Sequence, residues 1–106
     1  MEGRSIMRFS HDMTDFQKRY TQKVNNLIQE IIGKQIDFKE VKGRKETFYQ
    51  GQIKNIDIYI YSDEAGFMLN QKDWVICEKP DYSTQDELMK DFLSKLRNQL
   101  QIKIID

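Results

Sequence analysis

Two side chains, His11 and Cys77, are the whole supply of histidine and cysteine in this chain. A nucleophilic site needs a base within hydrogen-bond reach of the nucleophile and a third group to orient that base. Nothing in the spacing of His11 and Cys77 supplies either. Cys77 lies in the apolar run Trp74-Val75-Ile76-Cys77 and reads as a small core residue. His11 reads as a solvent-facing residue just ahead of a helix start. One histidine and one cysteine also cannot build the usual zinc sets. Asp57, Asp63, Glu64 and Asp73 fall at separate places in the chain, unlike the tightly spaced oxygen ligands of a calcium loop, and read as solvated turn acids. The five glycines, Gly3, Gly33, Gly43, Gly51 and Gly66, are scattered singly and form no phosphate-binding pattern. No catalytic residue, metal ligand or cofactor is therefore expected. An acid-x-Lys triplet occurs in Asp37-Phe38-Lys39 and again in Glu40-Val41-Lys42. A metal-dependent nuclease built on it would need a further carboxylate, such as Asp57, on a neighbouring strand. It ranks third among the readings.

Two constellations suit binding better than catalysis. Lys39, Lys42, Arg44 and Lys45 make the densest cationic cluster, around Gly43. Beside exposed tyrosines such a turn can hold a phosphate backbone while the rings stack on bases. It can equally be a charged hairpin tip that blunts a sheet edge. Tyr49, Tyr59, Tyr61 and Trp74 are the second constellation. Large rings with a polar rim bury much area at low entropy cost and dominate protein interfaces.

The elements that would carry these residues follow from periodicity. Phe16, Tyr20, Val24, Leu27, Ile28 and Ile31 make one helical stripe over residues 14–32, with Gln17, Lys18, Gln22, Lys23, Asn25, Asn26 and Gln29 on the other faces. Asp12 or Thr14 suits the N-cap, Thr14 with Gln17 fits a capping box, and Gly33 suits a left-handed C-cap. Residues 35–79 read as strands and turns. Ile36, Phe38 and Glu40 open an alternation that ends at the turn Lys42-Gly43-Arg44-Lys45. Thr47 to Gln50 is a second run, with Gly51 a bulge or a close-approach point. Ile56, Ile58 and Ile60 alternate with Asp57, Tyr59 and Tyr61, the strongest strand pattern in the chain. Asp63 to Gly66 reads as a hairpin loop, Phe67 to Leu69 as a short strand, Asn70 to Asp73 as a turn and Trp74 to Lys79 as a last strand stopped by Pro80. Leu88, Met89, Phe92, Leu93, Leu96 and Leu100 make a second helical stripe over 84–100, started by a Thr84/Glu87 capping box. Ile102 to Ile105 is read as a last strand or a loose tail, and residues 1–11 as a weakly organised leader.

The fold expected is α+β, a single domain over residues 1–106, with the order α-β(4-5)-α. Its antiparallel sheet is packed on one face by both amphipathic helices. This order of elements is similar to that of some small bacterial immunity proteins, an analogy of layout that assigns no residue.

Charge and composition narrow the function. Lys+Arg and Asp+Glu are both 17, so the formal net charge is zero. A nucleic-acid binder normally carries a positive excess. A neutral chain repels its own copies weakly. Charged residues make up 32% of the chain and apolar ones 39%, yet the isoleucines and aromatics supply a core. No apolar stretch reaches membrane-crossing length, so neither a signal peptide nor an anchor is expected, and a cytoplasmic location is the default. The first reading is a non-catalytic module, regulatory or inhibitor-like, that binds a protein partner or a second copy through Tyr49, Tyr59, Tyr61 and Trp74. The alternative is a single-stranded nucleic-acid binder using Lys39, Lys42, Arg44 and Lys45.

Overall fold

The computed structural model describes residues 13–105; the leader, Asp12 and His11 lie outside the described residues. Helix α1 (Asp15–Ile32) begins where the sequence says it should. Thr14 Oγ1 accepts the Gln17 N–H at 3.1 Å, and Gln17 Oε1 accepts the Thr14 N–H at 3.0 Å. The helix stops at Gly33, whose φ of 82° needs no Cβ to be displaced, and its N–H reaches the Gln29 carbonyl at 2.9 Å.

Five strands follow: β1 (Lys39–Lys42), β2 (Thr47–Ile53), β3 (Ile56–Ile60), β4 (Ala65–Leu69) and β5 (Asp73–Cys77). They form one antiparallel sheet in sequence order, as short hairpin connections require. After a short 3₁₀ turn at Lys79–Asp81, helix α2 (Gln85–Ile105) completes the α-β5-α order. Its start is capped by Thr84 Oγ1, which accepts the Glu87 N–H at 3.1 Å. The Glu87 carboxylate in turn accepts the Ser83 N–H at 3.0 Å.

Ile56, Ile58 and Ile60 are fully buried, in one core with Val24 and Ile28 of α1 and Phe92 and Leu96 of α2. Both helices thus lie on one face of the sheet. Tyr20 meets Asp86 near one end of the pair, and Glu30 meets Arg97 near the other. The helices therefore run side by side in the same direction.

Three local readings are corrected, and at Gly51 one of two alternatives is chosen. The tail from Ile102 onward is neither a strand nor loose, because α2 continues through Ile105: after Leu100 the chain has no Gly or Pro to end the helix. The first strand starts at Lys39 rather than Ile36. The backbone groups of Ile36 are already taken: its N–H donates to Asn25 Oδ1 at 2.8 Å, and its carbonyl accepts from Asn25 Nδ2 at 2.9 Å. Gln17 and Asn25 are buried, not on the solvent side of α1. Gln17 Nε2 donates to the Thr47 carbonyl at 3.0 Å, so these two amides tie the helix to the chain that crosses it. Gly51 keeps a regular register opposite Ile58, so it is no bulge. It is the close-approach point: a Cβ there would stand 2.7 Å from Ile36 Cδ1 and 3.0 Å from Phe38 Cε1.

The Asn25 clamp is testable. Asn25→Ala strips partners from a half-buried N–H and carbonyl at once and should cost about 1–3 kcal/mol in urea unfolding. Asn26→Ala, on the exposed side of the same helix, should stay within about 0.5 kcal/mol. Equal effects would show that the clamp contributes nothing.

Candidate functional site

Residues paired across a ladder share one face of the sheet. On β3 the isoleucines take the helix-covered face, so Asp57 and Tyr59 take the other. Register extends that assignment. Gly66 and Ile76 lie in line with Tyr59, and Met68 and Trp74 lie in line with Asp57. On the other side, Gln50 is opposite Tyr59 and Gln52 opposite Asp57. Phe48 alternates onto this face and pairs with Val41 of β1. Among the described residues no helix or strand covers this open face.

Four rings run across it. Phe48 and Tyr61 stand 5.1 Å apart between centroids, Phe48 and Tyr59 6.0 Å. Tyr59 and Tyr61 are stacked at 6.3 Å, and Tyr59 meets Trp74 edge-on at 5.0 Å. The last contact bridges β4, where Gly66 contributes no side chain between the rings. Trp74 is 41% exposed. Phe48, Tyr59 and Tyr61 are half-buried, chiefly among their neighbours on the same face.

Within this face lies Asp57. As a residue it is only 6% exposed, the one buried acid among the described residues. No hydrogen bond or ion pair joins it to another of them, and neither carboxylate oxygen is fully enclosed without a partner, so they keep an edge to water. Sequence reasoning treated it as a solvated acid. A mid-strand position flanked by Gln52, Met68 and Tyr59 covers most of it instead. Burial raises the phenol pKa of Tyr59, and the Asp57 charge raises it further. Tyr61 is raised mainly by burial, then by Tyr59, Glu46 and Glu64. Both rings therefore keep their protons at neutral pH and can donate.

The candidates named from sequence separate. Tyr59, Tyr61 and Trp74 stand together on the open face. Tyr49 does not join them: it pairs with Ile60, is 4% exposed, and packs on the helix side with its hydroxyl unpartnered. Phe48 takes the place assigned to it. The signal was the two-residue turn Lys54-Asn55, since pairing Ile53 with Ile56 fixes Tyr49 opposite Ile60. The basic set also divides. Lys39 belongs to the open face, opposite Gln50, whereas Lys42 and Glu40 share the helix-side face and pair at 3.5 Å. Arg44 and Lys45 are exposed in the β1–β2 turn. The carboxylates invoked for a nuclease do not converge either, because Glu40 and Asp57 lie on opposite faces, separated by β2. Among the described residues no three of His, Cys, Asp and Glu gather where a metal ion could bind.

Two other clusters were missed from sequence. Under the end of β5, the Tyr82 hydroxyl donates to Asp91 at 2.5 Å, and Lys95 pairs with the same oxygen at 3.1 Å. These contacts hold the Asp91 carboxyl below its ordinary pKa. They raise Lys95, and they raise Tyr82, which the neighbouring Cys77 thiol raises further. Burial pushes the Cys77 thiol up, which keeps it protonated and unreactive at neutral pH. Between the helices, Arg19 and Lys23 flank the Tyr20 ring at 5.6 and 5.8 Å. The Tyr20 hydroxyl donates to Asp86 at 2.9 Å. That carboxylate offsets the cations around it.

Comparison with protein families, with curated proteins and with solved structures finds no match. No helix among the described residues is long and apolar enough to cross a membrane.

The tyrosine shifts carry a pH signature. Tyr20, Tyr59, Tyr61 and Tyr82 all lie above the ordinary 10.0 in the folded chain. A raised folded pKa contributes stability that is intact below pH 10.0 and is lost as pH rises beyond it, because the unfolded chain releases its phenolic protons first. Tyrosinate absorbance should therefore lag behind that of free tyrosine and rise together with alkaline unfolding. Tyr82→Phe should reduce the steepness of that stability loss. Simple titration near pH 10.0 in a chain that stays folded would show the phenols to be unshifted.

Proposed function

We propose that the chain is a non-catalytic protein-interaction module that docks a segment of a partner protein on the open sheet face. The partner segment presents an arginine or lysine, among apolar side chains, to Asp57 beside Tyr59. One observation carries this reading: a largely covered acid, with no ion-pair partner among the described residues and an edge open to water, stands beside a chain of rings on the face that neither helix covers. A largely covered carboxylate with no counter-charge on its own chain, open to water at one edge, attracts a cation that can reach that edge. Ring faces beside it add cation–π attraction, worth about 0.5–2 kcal/mol.

The size of the face bears on the kind of partner. Five strands about 4.8 Å apart and about five residues long make a face of roughly 24 by 17 Å. That is about half of the roughly 800 Å² each partner contributes to a standard interface. One amphipathic segment fits such an area better than a broad globular surface. The separation of Lys39 from Lys42, and the pairing of Lys42 with Glu40, favour a protein ligand over a nucleic-acid backbone. A cytoplasmic location belongs to the same reading, and a single free cysteine suits a reducing compartment.

Selection of random short peptides on the immobilised protein tests the proposal. Enriched peptides should combine Arg or Lys with apolar residues and shift the emission of Trp74, the one tryptophan, to the blue. Asp57→Asn and Tyr59→Ala should each weaken those peptides by about tenfold or more while the far-UV spectrum holds. Peptides without basic residues, or binding that survives both substitutions, would overturn it.

A further inference from the structure

The sheet has two edges, and they are built differently. β1 is short and charged, Lys39-Glu40-Val41-Lys42, a composition that discourages another strand from pairing there. β5 carries Trp74, Val75 and Ile76 in succession, with no lysine or proline inside the strand. Among the described residues nothing pairs with its outer side. Its flanks are charged: Lys72 lies before it and Glu78 after it. Both are exposed, and neither has an ion-pair partner among the described residues.

We infer that β5 pairs with β5 of a second copy, antiparallel about a two-fold axis through Val75, to join two sheets into one of ten strands. In that register Lys72, the last residue of the β4–β5 turn, comes level with Glu78 of the second copy just beyond the paired strands, and the symmetry repeats the pair at the other end. Trp74 stands opposite Ile76 of the second copy, an aromatic and β-branched pair of the kind that stabilises ladders. Asp73 stands opposite Cys77. The axis runs perpendicular to the sheet, so both helix-covered faces remain on one side and both ring-bearing faces on the other.

Other registers lose these matches. A shift of one residue sets the core face of one copy against the open face of the other. Centring on Trp74 places Lys72 opposite Ile76 and Glu78 opposite Asn70. Centring on Ile76 places Glu78 opposite Trp74 and Lys72 opposite Pro80, which has no N–H to give. Only the register centred on Val75 brings both charges to opposite charges. The formal net charge of zero leaves no global repulsion against the approach of two copies.

Sedimentation equilibrium over a wide concentration range tests this with the full chain. A reversible dimer is expected. Lys72→Glu sets two acids against each other at both ends and should raise the dimer dissociation constant by about tenfold or more. Glu78→Lys should do the same. The double variant Lys72→Glu, Glu78→Lys restores opposite charges across the axis and should return the constant to that of the wild type. Both positions are exposed, so the circular dichroism of each variant should match the parent, and so should its melting at concentrations where both are monomeric. A monomer at every concentration, or single variants without effect, or a double variant no better than the singles, would overturn the inference. Asp57→Asn should leave the dimer unchanged, which separates this contact from partner docking on the open face.

Discussion

The alternation of β3 is the constraint on which the rest of the structure depends. Ile56, Ile58 and Ile60 all point to one side, and β3 is the middle strand of five. Side chains alternate with a period of two, so every cross-strand partner inherits its face from that strand. Both helices carry a single apolar stripe, and the isoleucine side is where each stripe is buried. Phe16, Tyr20, Val24 and Ile28 from α1, and Leu88, Phe92 and Leu96 from α2, complete one core with it. The other face of the sheet is left without a layer. Two amides on α1 keep this arrangement from sliding: Gln17 holds the Thr47 carbonyl and Asn25 holds both backbone groups of Ile36. Buried amides are tolerable there because their hydrogen-bonding groups meet backbone partners.

Much of this was legible from residue pattern, because hydrophobic periodicity and capping chemistry are local. Thr14 with Gln17, Gly33, and Thr84 with Glu87 each mark a helix end at the residue where it occurs. The open-face positions of Tyr59 and Tyr61 likewise followed from the isoleucines beside them. What escaped depended on register or on contacts far apart in sequence. Tyr49 and Phe48 are neighbours in one run, and which of them faces the core depends on how Ile53 meets Ile56. Gln17 and Asn25 look like solvent-facing amides until the crossing chain at Ile36 and Thr47 is in place. Asp57 looks like a surface acid until Gln52 and Met68 close in from both sides. The extension of α2 through Ile105 was hidden by a tail whose isoleucines read equally well as strand.

The open face is therefore not a polar surface of the ordinary antiparallel kind. A sheet packed on one side usually turns charged and hydroxyl-bearing residues to water. Here many of the corresponding positions hold Val41, Phe48, Tyr59, Met68, Trp74 and Ile76, with Lys39, Gln50 and Gln52 towards the β1 side and one largely covered acid among them. Rings that contact one another at 5.0 to 6.3 Å shield part of their own area from water, which limits the cost of leaving them unlayered. They do not shield all of it, since Trp74 remains 41% exposed at the β5 margin. The residual exposure is concentrated at one strand, and that strand is also the edge without charged residues on its apolar run.

The placement of charge leads to the same side of the molecule. The cations of the β1–β2 hairpin are dispersed: Lys42 is turned to the helix side and paired with Glu40, while Arg44 and Lys45 extend into solvent. At the β3–β4 hairpin, Glu46 accepts the Ser62 N–H, Glu64 accepts the Lys79 N–H, and Asp63 pairs with Lys79. These acids are spent on closing the hairpin, so they add little free charge to the rim. Lys72 and Glu78, at the two ends of β5, have no such local duty. The chain leaves opposite charges at both ends of its most apolar edge and, on the adjoining open face, one acid among the rings with no ion-pair partner among the described residues. In the associations we propose, specificity would come from those few charges while the rings and isoleucines supply the area.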